Sequence, residues 1–233
     1  MTKVHYKDLG LIDYKEAWDY QESLFTEVIN YKTGKLLPEK NTVNNYLLFC
    51  EHPHVYTLGK SGSEKNLLVN YIQLQAQHAV FYRTNRGGDI TYHGPGQIVG
   101  YPILDLEQFK LGVKTYIFSL EESIIQTLAY YGIKAERLDG ATGVWLDPET
   151  PGVRKICAIG VRTSRYVSMH GFAFNVNTDL NYFNHINPCG FTDKAVTSLS
   201  KEIGTAVNMD DVKKILLQKI SEVFDMELIS RPE

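Results

Sequence analysis

The sequence predicts a mixed α+β domain in which helices flank a β-sheet. Segments with helical periodicity occur near the beginning, middle and end of the chain, and short apolar runs typical of strands lie between them. These elements do not alternate as regularly as in a parallel βαβ fold. A length of 233 residues suits a single domain, residues 1–233. A final helix at about residues 210–224 lies close enough to the chain end to form a small C-terminal appendage.

Three further segments have helical character. Residues 13–30 place most of their apolar side chains on one face, and Asp13 can cap the start of that helix. Residues 63–78 predict helical turns. Residues 115–131 predict the clearest helix, because a regular apolar stripe ends at Gly132, where a C-terminal glycine belongs.

Apolar or alternating runs predict the strands of the sheet. A short polar segment connects the last two predicted strands, which indicates a hairpin turn at Thr163, Ser164 and Arg165. The predicted strands are residues 46–50, 55–58, 79–83, 98–104, 134–138, 143–146, 155–163 and 166–176.

The charge distribution limits the class of partner. A formal net charge of -3 argues against a nucleic-acid binder that works through a global basic field. Between Arg154 and Thr178, however, four basic residues occur without any Asp or Glu. This cluster indicates an acidic partner or an anionic ligand, and chance clustering on a solvated face explains it equally well. The basic residues are Arg154, Lys155, Arg162 and Arg165.

The N-terminus has no signal-peptide h-region, and no stretch reaches transmembrane length. We therefore expect a soluble cytoplasmic protein with reduced thiols and no membrane partner. Three cysteines without a CxxC pattern favour neither a disulfide framework nor a thiolate metal site. Cys50 and Cys157 lie in apolar runs, as core thiols do.

Cys189 has a different setting, between Pro188 and Gly190 in a polar stretch. A thiol in such a loop can meet a substrate, and it becomes a good nucleophile if its pKa is lowered. The alternative is an inert exposed thiol. Its partner could be a histidine, since His93, His170 and His185 are all candidates.

Lys155 is a second candidate partner for the thiol. It opens an apolar strand, and a lysine on a buried strand is costly unless it is paired or functional. Such a lysine could stabilise a thiolate or accept its proton. The alternative is a lysine at the strand edge whose ammonium group reaches water.

The most unusual stretch is Arg86–Gln97, which contains four glycines, a proline, an arginine and a histidine between two predicted strands. Glycine permits positive φ and close approach of a ligand to the backbone, so a binding loop is indicated. The alternative is a tight turn with Arg86 in solvent. The glycines do not follow the G-x-G-x-x-G order and no P-loop is present, which disfavours a dinucleotide site.

Five blocks, in order along the chain from about Tyr46 to Ser200, resemble the octanoyltransferase family, the lipoyl(octanoyl) transferases often called LipB. Five blocks in the family's order are far more specific than any one of them. The blocks are Glu51–Gly59, Arg86–Pro102, Lys155–Gly160, His170–Asn175 and Asn187–Gly190.

The resemblance implies a fold related to the catalytic domains of biotin and lipoate protein ligases. It implies an acyltransferase that moves octanoyl from octanoyl-acyl carrier protein to the ε-amino group of a lysine on a lipoyl domain, the first step of endogenous protein lipoylation. The acceptor would be a 2-oxoacid dehydrogenase lipoyl domain or the glycine cleavage H protein. No cofactor, metal or nucleic acid is implied.

The resemblance also assigns residues. Cys189 matches the cysteine that carries the acyl thioester, and Lys155 matches the family's catalytic lysine. The matching substrate-binding residues are Arg86, Gly87, Gly88, Asp89, Ile90, Thr91, Tyr92, His93, Ala158, Ile159, Gly160, Gly171, Phe172 and Ala173.

Further roles follow if this chemistry holds. The glycines of these segments would let the backbone form a narrow acyl tunnel, and main-chain N–H groups at Ile159 and Gly160 or around Cys189 could hold the oxyanion. Arg86 would orient neighbouring backbone, and His93 would be a structural hydrogen-bonding residue. The basic residues around Arg162 would dock the acidic carrier protein.

Three rival interpretations remain. An ATP-dependent lipoate or biotin ligase shares the fold group but needs a nucleotide site and no acyl-cysteine. An octanoyl amidotransferase would use the same cysteine chemistry and differ only in its donor. An inactive acyl-binding or carrier-binding module is disfavoured because Lys155 and Cys189 are both present.

Overall fold

The computed structural model describes residues 1–37, 44–187 and 195–230, apart from the side chains of Tyr71 and Ser230. The helices are α1 (Tyr14–Lys32), α2 (Tyr71–Ala76), α3 (Val113–Tyr130), α4 (Leu199–Ile203) and α5 (Met209–Phe224). The strands are β1 (Thr2–Leu11), β2 (Tyr46–Glu51), β3 (Val55–Leu58), β4 (Val80–Arg83), β5 (Ile90–His93), β6 (Gln97–Ile103), β7 (Glu136–Leu138), β8 (Ala141–Leu146), β9 (Arg154–Ser164), β10 (Val167–Asn175), β11 (Ala195–Val196) and β12 (Met226–Ser230).

Nine strands of the described residues form one mixed sheet. Its order is β12-β1-β2-β6-β10-β9-β8-β7, and the short β11 pairs with β9. The pairs β1–β12, β1–β2 and β9–β11 are parallel, whereas the other pairs of this sheet are antiparallel. The predicted α+β class is confirmed, because strands of both orientations replace a regular βαβ alternation.

Helices cover both faces of the large sheet. Alternate residues of β2, such as Leu47 and Phe49, join one core cluster with α3 and α5. Their neighbours Leu48 and Cys50 join a second cluster with α1 on the opposite face. The period-2 alternation of a strand thus places its apolar side chains against two helical layers, which explains the nearly continuous apolar runs in the sequence.

The helix ends agree with the sequence signals. The carboxylate of Asp13 accepts hydrogen bonds from the N–H groups of Lys15 and Glu16 at the start of α1. Gly132 follows the end of α3 with φ +75°, a left-handed conformation that favours glycine. Both predicted caps are confirmed.

A second, smaller sheet has the order β4-β3-β5. Its own core cluster includes Tyr56, Tyr92 and Ile186. The expectation of one long loop between two strands at Arg86–Gln97 was wrong in its middle part. Residues 90–93 form β5 instead, because Tyr92 is fully buried and pairs with Tyr56 across the sheet.

The β9–β10 hairpin turns one residue later than predicted. Arg165 and Tyr166 are its central residues, with φ values of +51° and +61°. Two successive positive φ values characterise the two-residue type I′ turn, whose twist matches that of the flanking strands. Ser164 therefore pairs with Val167 at the start of a regular register.

The two ends of the described chain meet at one edge of the large sheet. β12 pairs in parallel with β1, and the Lys213 ammonium in α5 forms an ion pair with Asp8 in β1, 2.9 Å away. The final helix, α5, also packs into the same core cluster as α3. Among the described residues, no helix combines the length and the apolar character needed to cross a bilayer.

Candidate functional site

A cavity of about 440 Å³ lies where the two sheets approach each other. Its wall combines β6, β9 and β10 of the large sheet with the segment 86–93, and this volume suits a small-molecule site. Of the substrate-binding residues named from the sequence, Tyr92 is the one absent from this described lining. The others line it together: Arg86, Gly87, Gly88, Asp89, Ile90, Thr91, His93, Ala158, Ile159, Gly160, Gly171, Phe172 and Ala173.

Tyr92 points into the core of the small sheet. Its hydroxyl lies 2.7 Å from Nδ1 of His54, and its ring stacks on Tyr182 at a centroid distance of 4.9 Å. β5 therefore presents Thr91 and His93 to the cavity wall and uses Tyr92 for packing.

Lys155 lies in the cavity wall near the start of β9. Its ammonium nitrogen lies 4.5 Å from the centroid of the Trp145 ring and 3.3 Å from the carbonyl oxygen of Thr142, to which it donates. The ring face attracts a cation, so Trp145 holds the ammonium group by a cation–π contact. Val196 of β11 pairs with Lys155 on the neighbouring strand and lines the same cavity.

Cys189 lies outside the described residues. The described residues on either side of that gap include Phe183 and Ala195, and both line the cavity. The other cysteines are free and buried, as predicted. Burial raises the pKa of both the Cys50 and the Cys157 thiols, which keeps them protonated and unreactive.

Arg86 is buried and turned toward backbone. Its guanidinium donates to the carbonyl oxygens of Thr57 at 2.6 Å and Gly87 at 2.9 Å, and to the Thr57 hydroxyl at 3.0 Å. The expectation that Arg86 orients neighbouring backbone agrees with these contacts. Desolvating a guanidinium demands such partners, because an unpaired buried charge is very costly.

The glycines allow the segment at 87–88 to approach β9 closely. The N–H of Gly87 donates to the carbonyl oxygen of Val161 at 2.9 Å. A Cβ atom at Gly160 would lie 2.8 Å from the carbonyl oxygen of Gly87, closer than real Cβ contacts allow. This site in β9 therefore requires glycine for close packing of the cavity wall.

His93 is held as a neutral structural residue. Its Nδ1 lies 2.8 Å from Oε1 of Gln97, its ring stacks on Tyr14 with a centroid distance of 5.9 Å, and burial lowers its pKa well below 6.5. His52 lies beside it, and burial lowers the pKa of His52 to about 4. These contacts agree with the structural role expected for His93.

The two other histidines considered as partners for a thiolate are also hydrogen-bonded elsewhere. His170 lines the cavity, with Nε2 2.6 Å from Oδ1 of Asn85, and burial lowers its pKa to about 3. His185 Nδ1 lies 3.0 Å from the Tyr56 hydroxyl. Each imidazole belongs to a packed polar contact of the scaffold.

Two members of the basic cluster noted in the sequence form ion pairs, and the docking role expected for the cluster stays a prediction. The Arg154 guanidinium contacts Glu202 at 2.7 Å, and that of Arg162 contacts Glu22 at 2.8 Å. Sequence reasoning missed these pairs because the acidic partners lie on distant elements, α4 and α1. Arg165 is exposed in the hairpin turn.

Several lining residues were not singled out from the sequence. They lie on α1, α3, β6 and β8. In the sequence each is an apolar or aromatic residue of a helical or strand pattern, and such a pattern predicts a position in the hydrophobic core as well as it predicts a position in a cavity wall. Within the described ranges, no group of three His, Cys, Asp or Glu side chains could hold a metal ion. The missed lining residues include Tyr14, Val99, Tyr101, Ile117 and Trp145.

Comparison with known proteins shows which family this chain resembles. Residues 13–221 match the family described as the lipoyl protein ligase A/B catalytic domain. An octanoyltransferase from Christiangramia forsetii is 55% identical over 232 residues, which cover 97% of this chain and 97% of that protein.

Solved structures share the fold at low sequence identity. The structure of a bi-partite lipoate protein ligase and its E2 lipoyl domain from Thermoplasma acidophilum matches with a TM-score of 0.71 at 16% identity, covering 99% of this chain and 87% of that chain. Lipoate-protein ligase A bound with ATP matches with a TM-score of 0.68 at 14% identity, covering 99% of this chain and 88% of that chain. The fold expected from the resemblance is confirmed, and the chain belongs to the lipoyl protein ligase A/B catalytic domain family.

Proposed function

We propose that this protein is a lipoyl(octanoyl) transferase that moves octanoyl from octanoyl-acyl carrier protein to a lysine of a lipoyl domain. The observation that carries the proposal is the near full-length, 55% identical relative named octanoyltransferase. The cavity supports it, since a largely apolar pocket beside an ammonium group suits an acyl chain with a reacting carbonyl at one end.

The proposed reaction uses Cys189 as nucleophile and Lys155 as its proton partner. The Cys189 thiolate attacks the thioester carbonyl, the bond from the acyl carbon to the donor sulfur breaks, and the leaving thiolate takes a proton from Lys155. The acceptor amine then attacks the acyl-cysteine, a C–N bond forms and the C–S bond to Cys189 breaks. The amine proton passes to Lys155, which restores the starting ion pair.

The surroundings of Lys155 support this role. The Trp145 ring face and the Thr142 carbonyl both contact the Lys155 ammonium group and hold it at the cavity wall, where its positive charge would favour a nearby thiolate. In the described chain, β8 pairs with β9 only as far as Cys157. The following residues, Ala158 to Gly160, line the cavity and pair with β10 along their other edge, so only N–H groups among them that face away from β10 would be open to a developing oxyanion.

Omission of ATP separates this function from the ligase alternative. Purified protein is incubated with octanoyl-acyl carrier protein and an unmodified lipoyl domain, with and without Mg-ATP, and octanoylated domain is measured by mass. We expect the same rate of octanoylation in both reactions, because the thioester donor is already activated. In a parallel reaction that supplies free octanoate instead of the thioester, formation of product with an absolute need for Mg-ATP would identify a ligase.

The same assay addresses the donor. An octanoylated protein domain that replaces octanoyl-acyl carrier protein as the better donor, by kcat/KM, would identify an amidotransferase.

The Lys155→Met variant tests the role of the ammonium group in the reaction, since methionine keeps an unbranched apolar stem but removes that group. We expect this variant to lose roughly 100-fold or more in kcat.

A further inference from the structure

One carboxylate joins the cavity wall to three elements of the large-sheet layer. Oε1 of Glu22, in α1, accepts hydrogen bonds from Nδ2 of Asn85 at 2.8 Å and from the guanidinium of Arg162, in β9, at 2.8 Å. Oδ1 of Asn85 lies 2.6 Å from Nε2 of His170, in β10. We call Glu22, Asn85, Arg162 and His170 the Glu22 clamp.

The hydrogen bonds of the clamp have a defined direction. A carboxylate only accepts, so the Asn85 amide must turn its NH₂ group toward Glu22 and its carbonyl oxygen toward His170. His170 must then donate from Nε2. Each side chain has one compatible orientation, and a change of a single donor or acceptor breaks the series.

The clamp holds a particular part of the cavity wall. Asn85 directly precedes the wall residues Arg86–Asp89. Other contacts of this segment lead to the small sheet: the Thr84 hydroxyl donates to the Leu58 carbonyl, and the Arg86 guanidinium donates to Thr57. Toward the large sheet, Gly87 donates to the Val161 carbonyl. The Glu22 clamp therefore reinforces the junction of the two sheets along one side of the cavity.

We propose that Glu22 is a positioning residue that holds this wall in place and so limits the acyl chain that the cavity accepts. It acts through Asn85, without touching the substrate. This inference rests on the proposed acyl transfer for its effect on specificity. Removal of the carboxylate frees the Asn85 amide from α1, and the wall at 86–89 can move outward. A longer acyl chain then gains room that the closed wall denies it.

Enzyme kinetics with two small thioester donors test the effect on specificity. We expect Glu22→Ala to lower the ratio of kcat/KM for octanoyl-pantetheine to that for dodecanoyl-pantetheine by about 10-fold, since pocket shape discriminates methylene groups on this scale. Glu22→Gln keeps the acceptor Oε1 and should restore most of the wild-type ratio. Asp19→Ala, which removes an exposed ion pair with Lys15 on the same helix, is the matched control and should leave the ratio unchanged.

Hydrogen exchange tests the clamp independently of acyl transfer. In Asn85→Asp two carboxylates would face each other, and in Glu22→Ala the acceptor is removed. We expect the amides of residues 84–89 to exchange at least about 10-fold faster in both variants than in wild type or in Asp19→Ala. Unchanged exchange in both variants would overturn the clamp. An equal loss of kcat/KM for both donors in Glu22→Ala, with octanoyl still preferred as in wild type, would overturn its role in specificity. Wild-type protein with normal exchange but no octanoyl transfer would refute the proposed function while leaving the clamp itself in place.

Discussion

Buried histidines beside the cavity are kept neutral by their surroundings. Burial lowers the pKa of His52 to about 4 and that of His170 to about 3, and it lowers the pKa of His93 well below 6.5. Each ring instead makes a neutral hydrogen bond within the scaffold. Protonation therefore opposes the folded state at this part of the molecule.

This arrangement predicts acid sensitivity of the fold. Below the unfolded pKa of 6.5 the unfolded chain binds protons that the native His52 does not, so the free energy of unfolding falls as pH falls from about 6.5 to about 4. Each such histidine contributes a slope of up to about 1.4 kcal/mol per pH unit. Urea unfolding of wild type and His52→Asn at intervals between pH 7 and 5 measures it. The variant should show a shallower decline, and an identical slope would contradict a neutral His52.

At the scale of single residues, the sequence predicted the environments of some groups and not of others. Cys50 and Cys157 could be identified as core thiols because their neighbours in the chain are apolar. The ion pair between Arg162 and Glu22 could not be identified, because those residues are 140 positions apart in the chain. A cluster of like charges in sequence is thus weak support for a charged surface.

At the scale of elements, the approach of β6 to β10 depends on paired glycines. A Cβ atom at Gly171 would lie 2.1 Å from the carbonyl oxygen of Gly100 and 2.7 Å from Cδ of Pro102. A Cβ atom at Gly100 would itself lie 2.1 Å from the Phe172 ring. Both strands contribute to the cavity wall, so their close contact helps to determine its shape.

Gly171→Ala should therefore destabilise the protein. Strands that must separate to admit a methyl group lose packing, and we expect the free energy of unfolding to fall by about 1–3 kcal/mol. Gly152→Ala is the control, because Gly152 lies in an exposed turn where an added Cβ atom would come no closer than 3.4 Å to a non-neighbouring atom. Chemical denaturation of both variants checks the difference. Equal stabilities of the two variants would show that the strands adapt without cost.

Elements with strong local signals were predicted well, and those that depend on distant partners were not. α1 and α3 carry their own caps and apolar stripes, so sequence alone located them. β1 and β12 were missed because both depend on pairing with strands that are distant in the sequence: β12 pairs with β1 at the sheet edge, and β1 pairs also with β2. β5 was hidden within a glycine-rich stretch, since its strand character comes from pairing with β3 and from burial of Tyr92.

At the scale of the whole molecule, the cavity is a product of two sheets. The large sheet supplies β6, β9 and β10, and the small sheet with the segment 86–89 supplies the opposite wall. Residues that are far apart in sequence, such as Arg86 and Gly160, become neighbours only through this arrangement. The sequence identified the segments through resemblance, whereas the enclosing shape and the aromatic contact of Lys155 with Trp145 needed the fold.

The central claim is that Cys189 carries the octanoyl group during transfer. The most direct measurement is intact-protein mass spectrometry after incubation with octanoyl-acyl carrier protein and no acceptor domain. We predict one added octanoyl group, removed by hydroxylamine and mapped by peptide analysis to Cys189, which is lost in Cys189→Ala and retained in Cys157→Ala. A hydroxylamine-labile octanoyl adduct that persists in Cys189→Ala, or wild-type turnover without any acyl-enzyme on Cys189, would contradict the account.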